Sequence, residues 1–158
     1  MGKLEMIISG GQTGGDQGGL EASAILMIQY GGWIPKGRLT EKGSMKQWPL
    51  LAETDQATYP PRTWRNVRDS HGTAIFTLGP AERGSALTIE FCKKQGRHWL
   101  HLDISHLTDN EASVWVRNWV KRNKIKVLNV AGNRESKSPG IQRRVRDILV
   151  KAFEEQRE

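Results

Sequence analysis

An α/β fold, a Rossmann-like three-layer sandwich around a mostly parallel sheet of about five strands, is what this sequence predicts. Three observations carry the expectation. Short apolar runs alternate with stretches of helical period along all 158 residues, the pattern of parallel strands covered by helices. Three of the predicted strands run straight into small glycine-bearing loops that open a helix. Six glycines also crowd the stretch Gly10 to Gly19, between the first apolar run and the first helical pattern. Glycine adds nothing to a core and costs entropy on folding, so a cluster this dense implies a sharp turn or a very close approach to the backbone.

Each element has its own justification. Residues 4–8 form a buried strand, and 17–29 a helix with Leu20, Ala24 and Ile28 on one face. Residues 32–34 make a short second strand stopped by Pro35. Segment 36–61 is polar and irregular, and 62–70 is a short helix. Residues 73–78, "TAIFTL", are a strand, 85–94 a helix, and 98–103, "HWLHLD", another strand. Asp109 is placed to cap a helix to about 122, with Ala112, Trp115, Val116, Trp119 and Val120 on its apolar face. Residues 125–130, "IKVLNV", are the last strand, and Pro139 opens a helix whose stripe is Ile141, Val145, Ile148, Leu149 and Ala152. With no linker or repeat, one domain spanning 1–158 is expected.

Composition narrows the class. No apolar stretch approaches the roughly 18 residues of a membrane span, so no membrane partner is expected. Cys92 stands alone, which excludes an internal disulfide. With no basic, apolar and small-residue leader pattern either, a cytoplasmic location is expected. The net charge is +7, and residues 117–151 hold eleven Lys/Arg against Glu135 and Asp147, so the basic excess belongs to the last third. Such an excess suits nucleic acid, a small anion or plain solubility.

In open α/β sheets ligands bind beyond the carboxyl ends of the strands. Those ends carry Gly10, Gly11, Gln12, Thr13, Gly14 and Asp16 after the first strand, and Gly79, Arg83, Gly84 and Ser85 after "TAIFTL". After "IKVLNV" come Gly132, Arg134, Glu135, Ser136 and Lys137. Glycine loops opening helices free backbone N–H groups for a phosphate-like anion, and Arg83, Arg134 and Lys137 would complete the charge. The first loop is not a P-loop, since no Gly-Lys-Ser/Thr follows, and it does not spell G-x-G-x-x-G. Where a dinucleotide fold wants an acid for the ribose, this chain has Lys36 and Arg38. Ordinary NAD binding is disfavoured, and a phosphorylated nucleotide-like or pterin ligand fits better. No metal site is expected: His98 and His101 point to opposite faces of their strand. Cys92 reads as a small buried hydrophobe, and Trp115 and Trp119 as core or subunit interface.

The stretches "IISGGQTGGDQGGLEA", "GGWIPKGRLTEKG", "YPPRTWRNVRDSHGTAIF", "LTIEFCKKQGRHWLHLD" and "IKVLNVAGNRESKSPGI" resemble, in order, the molybdenum carrier protein family, a circularly permuted branch of the SLOG superfamily. The resemblance covers roughly residues 6–149 and rests above all on GGQTGGDQG and NVAGxRESKxPG. It implies a Rossmann-like fold, commonly a homo-oligomer, with a ligand site built from the glycine loops. One branch is associated with molybdenum cofactor, a pterin bearing a phosphate and a dithiolene. The superfamily also includes hydrolases of the N-glycosidic bond of nucleoside monophosphates. Carried over, Gly10, Gly11, Thr13, Gly14 and Asp16 form the first loop, Arg62, Thr63 and Asn66 stand near the site, and Gly132, Arg134, Glu135, Ser136 and Lys137 close it. The chain departs from the family at His71, where an acid is usual, and in "GPAERGSALT", which has Gly84-Ser85 for the commoner Gly-Thr pattern.

Three functional readings follow. The first is a binding protein for a small, phosphate-bearing nucleotide-like or pterin ligand, with molybdenum cofactor the ligand the resemblance offers. The alternative is a nucleotide N-glycosidase, for which Glu135 and Asp16 are the candidate catalytic carboxylates. A nucleic-acid surface on the basic last third ranks behind both, because no recognition motif accompanies the charge.

Overall fold

The computed structural model describes residues 3–157. Its first half runs β1 (Met6–Ser9), α1 (Gly15–Leu26), β2 (Gln29–Gly31), β3 (Trp33–Ile34), β4 (Leu39–Thr40), β5 (Gly43–Ser44), β6 (Ala52–Glu53) and α2 (Tyr59–Arg68). The second runs β7 (Gly72–Thr77), α3 (Gly84–Gln95), β8 (His98–Asp103), α4 (Asp109–Arg122), β9 (Val127–Gly132) and α5 (Ile141–Phe153). Five strands make one sheet in the order β2-β1-β9-β7-β8, and every pairing in it is parallel. The fold is Rossmann-like, as expected.

Strand alternation sets the layers. Ile7, Ala74, Phe76, Leu128 and Val130 point into the larger core, where α1, α4 and α5 contribute Leu26, Val116, Trp119, Val145, Ile148 and Leu149. Their neighbours Ile8, Thr73 and Ile75 are also buried but face the other way, toward α2 and α3. A second, small cluster joins Leu20 of α1 to Ile34, Met45 and Leu51, so segment 36–61 is fastened to the body by apolar contact. Each such large apolar side chain fully buried is worth about 1.5–3 kcal/mol.

Several local expectations are corrected. The second sheet strand is 29–31, not 32–34: Trp33–Ile34 pairs with Ala52–Glu53 in a separate two-stranded sheet. Segment 36–61, read as irregular, also holds an antiparallel pair, Leu39–Thr40 with Gly43–Ser44, and α2 begins at Tyr59 with prolines in its first turn. The buried face of α1 is Leu20, Ala22 and Leu26, while Ala24 is exposed. The glycines rotate that helix, because a Cβ on Gly18 would lie 2.6 Å from the Gln142 carbonyl oxygen and one on Gly19 would lie 2.7 Å from Val130 Cβ. The α4 cap is Thr108: its hydroxyl accepts from Glu111 N–H while the Glu111 side chain accepts from Thr108 N–H. Trp119 is core, but Trp115 is 55% exposed. The α5 stripe is buried as expected.

Candidate functional site

From β1 the chain leaves through α1 to β2 on one side, and from β7 it leaves through α3 to β8 on the other. The carboxyl ends of β1, β9 and β7 therefore meet where the winding direction changes, the place such sheets keep for ligands. A cavity of about 790 Å³ opens there, within the range of small-molecule sites. Its floor is Asn129 to Gly132 of β9, and its walls come from the loops after β1, β7 and β9 and from the start of α2.

Of the residues singled out from sequence, Gly10, Gln12, Asp16, Arg62, Thr63, Asn66, Arg83, Gly84, Ser85, Gly132, Arg134 and Lys137 line this cavity. Gly11, Thr13, Gly14, Lys36, Gly79, Glu135 and Ser136 do not. Lys36 is exposed on the segment after β3. Gly79 gives its N–H to Asp103 Oδ1 at 2.9 Å, a carboxylate that Ser105 and this amide together hold down at about 2. Glu135 is turned to the N-terminus of α5: its two oxygens accept from Gly140 N–H at 2.6 Å and Gln142 N–H at 3.0 Å. It therefore caps a helix instead of presenting a carboxylate to the cavity.

The first loop is also not the amide cradle expected. Its N–H groups are given to protein atoms: Gly11 to Ser9 Oγ at 3.2 Å, Gln12 to Asp16 Oδ2 at 3.2 Å and Thr13 to Gln12 Oε1 at 3.1 Å. Gly14 and Gly15 follow, to Gln142 Oε1 at 2.9 Å and the Asn133 carbonyl at 3.1 Å. What comes so close to the glycines is the protein itself. A Cβ on Gly14, which sits at φ +85°, would stand 2.0 Å from the Asn133 oxygen, and one on Gly15 would stand 2.7 Å from Gly132 Cα. The loop locks β1 to β9 and presents side chains to the cavity.

Those side chains form a polar wall. Arg62 Nη1 donates to the Gly10 carbonyl at 2.6 Å and lies 3.4 Å from Asp16 Oδ2. Burial pushes the Asp16 carboxyl above its ordinary value, against the pull of the Arg62 charge. Burial likewise pulls the Arg62 guanidinium down, with Asp16 opposing. Tyr59 carries the guanidiniums of both Arg62 and Arg134 over its ring, each 5.0 Å from the centroid. On the facing side Ser85 Oγ donates to Asn133 Oδ1 at 3.3 Å, and Asn133 Nδ2 to Ser138 Oγ at 2.8 Å. Four cations, Arg62, Arg83, Arg134 and Lys137, line the cavity against two carboxylates, Asp16 and Glu82. Asp16 is taken by Arg62. Among the described residues Arg83, Arg134 and Lys137 have no ion-pair partner, and α3 starts at Gly84 with the positive end of its dipole on the same wall.

Sequence reasoning missed Tyr59, Asn129 and Asn133. Tyr59 fell inside the segment read as irregular, although Tyr-Pro-Pro ahead of a helical pattern is a usable start signal. Asn129 is a polar residue inside an apolar strand, and that break in the pattern marks the cavity floor.

A Rossmann-like sheet with a cation-lined crevice at its switch point defines a class of small-ligand binding folds. The chain belongs to the circularly permutated YpsA SLOG family, whose model matches residues 7–153. It is similar to a protein of Syntrophus aciditrophicus named "Putative molybdenum carrier protein", whose crystal structure superposes with a TM-score of 0.91 at 39% identity, over 95% of each chain. No curated protein matches the chain.

Proposed function

We propose that the cavity binds a small phosphate-bearing ligand of nucleotide-like or pterin type, with molybdenum cofactor as the cargo that the similar Syntrophus protein's name brings into view. One observation carries the reading: Arg83, Arg134 and Lys137 converge without ion-pair partners on one cavity beside the first turn of α3. Anions gain there from both the unpaired charge and the helix terminus. The anion end thus lies on the loops after β7 and β9, and the loop after β1 faces the remainder of the ligand. A pterin bearing a phosphate suits this division, because Gln12 in the loop after β1 keeps a buried amide nitrogen with no acceptor. Arg83, Arg134 and Lys137 would hold the phosphate, and Tyr59 would flank it.

Isothermal titration with nucleoside monophosphates and with molybdopterin tests this. Saturable binding is expected, weakening with added salt. Arg134→Ala removes one charged hydrogen bond, worth about 1.5–3 kcal/mol, so a loss of roughly tenfold to a hundredfold is expected. Absence of saturable heat with every phosphorylated ligand would refute the proposal. The chain holds no helix, among the described residues, long and apolar enough to cross a membrane.

A further inference from the structure

Gln12 is the one residue, among those described, with a buried side-chain polar atom that has no partner. Its Oε1 accepts from Thr13 N–H at 3.1 Å and from Glu41 N–H at 2.9 Å. Turning the amide over would orphan both donors, so the network assigns the oxygen and leaves Nε2 as the free end. Gln12 is 4% exposed, lines the cavity, and Nε2 meets no acceptor. A buried donor left unmade costs about 1–3 kcal/mol, and native structures keep few of them. Four residues on, Asp16 shares that wall. Its Oδ2 takes Gln12 N–H at 3.2 Å and faces Arg62 at 3.4 Å, while its Oδ1 takes no donor among the described residues. Two residues lining one cavity, four positions apart, therefore offer an unused donor and an unused acceptor.

We infer that Gln12 and Asp16 read a lactam edge, a ring carbonyl next to a ring N–H, as on a 6-oxopurine or a 4-oxopteridine. The carbonyl accepts from Gln12 Nε2, and the ring N–H donates to Asp16 Oδ1. A 6-amino or 4-amino ring has the opposite polarity: its amino group faces Nε2 donor to donor, and its bare ring nitrogen faces the carboxylate lone pair to lone pair. Sites that hydrogen-bond a ligand group reject its mismatched analogue strongly, because their own buried groups are left unpaired. The inference rests on the proposed anion site, which seats the phosphate that brings the ring to this wall.

Two ligand pairs test it: inosine against adenosine monophosphate, and a 4-oxopterin against its 4-amino analogue. The wild-type protein is expected to prefer the oxo member by about tenfold or more in at least one pair. Gln12→Glu keeps an acceptor for Thr13 and Glu41 but replaces the Nε2 donor with oxygen. The amino member gains a partner there while Asp16 still favours the ring N–H of the oxo member, so the preference should collapse toward parity. Gln12→Met removes the donor without adding an acceptor, so the preference should shrink to the part that Asp16 supplies, and thermal unfolding confirms that each variant is folded. Equal affinity within both pairs, or a preference that neither substitution changes, overturns the lactam reading and leaves the anion site standing. Binding of none of the four ligands overturns both.

Discussion

Gly14 shows how little room one position can leave. It combines φ +85° with a place where a Cβ would meet Asn133 O at 2.0 Å and Glu135 N at 2.8 Å, both backbone atoms that cannot swing aside. Gly14→Ala should therefore lower stability by more than about 2 kcal/mol, strain and clash adding. Gly37 is the control: its φ is also positive, at +82°, but nothing lies within 4 Å of its Cβ position. Gly37→Ala should cost only the conformational strain, about 1 kcal/mol. Chemical denaturation of both variants checks the contrast, and equal losses would mean that close approach of β1 and β9 is not what the glycines serve. Gln12 and Asp16 belong to the same scale, since residue type at each announces a polar group and only its partners say which atom remains for a ligand.

The short hairpin of β4 and β5 straps together two of the loops that frame the site. Glu41 at its turn accepts from Thr13 Oγ1 at 2.6 Å, from Ser136 N–H at 3.2 Å and from Ser136 Oγ at 2.5 Å, and so joins the loops after β1 and β9. Its own N–H orients Gln12. Burial raises the Glu41 carboxyl, but the bonds from Ser136 and Thr13 outweigh it and hold the group below its ordinary value of 4.5. A carboxyl lowered by folding stabilises the native state above its unfolded value, and that contribution disappears as pH falls through the folded value. Thermal unfolding of the wild type should thus lose stability below about pH 4.5, and Glu41→Gln should flatten that part of the profile. In Glu41→Gln, hydrogen exchange at the Ser136 amide should also quicken at neutral pH, and unchanged exchange would show that the strap is not held by this carboxylate. The two-residue strands of this segment were illegible in the sequence, because periodicity needs more residues than they have. The misplaced second strand has the same cause: Gln29–Gly31 is short, lies at the edge of the sheet and is only partly buried.

Across the whole molecule, the basic last third proves to be partly internal wiring. Arg144 pairs with Asp109 at 2.9 Å and donates to the Ile104 and Leu107 carbonyls, each at 2.8 Å, which ties α5 to the turn before α4. Arg146 is paired with Asp147 at 3.0 Å. Arg144→Ala should destabilise by about 1–3 kcal/mol and leave ligand affinity unchanged, a separation that denaturation and titration together would reveal. Arg83, Arg134 and Lys137 carry the opposite expectation, large effects on binding and small ones on folding. The sequence by itself determined the strand and helix alternation, the stripe of α5 and the loops that gather at one end of the sheet. These depend on period and on glycine or proline punctuation, which act between near neighbours. Only the tertiary structure decided that the first loop gives its amides away, that Glu135 caps a helix and that Gln12 keeps one donor free. Those outcomes turn on hydrogen bonds between residues far apart in the chain, such as Thr13 with Glu41 and Gly14 with Gln142, and a local pattern carries no record of which distant atom reaches a donor first.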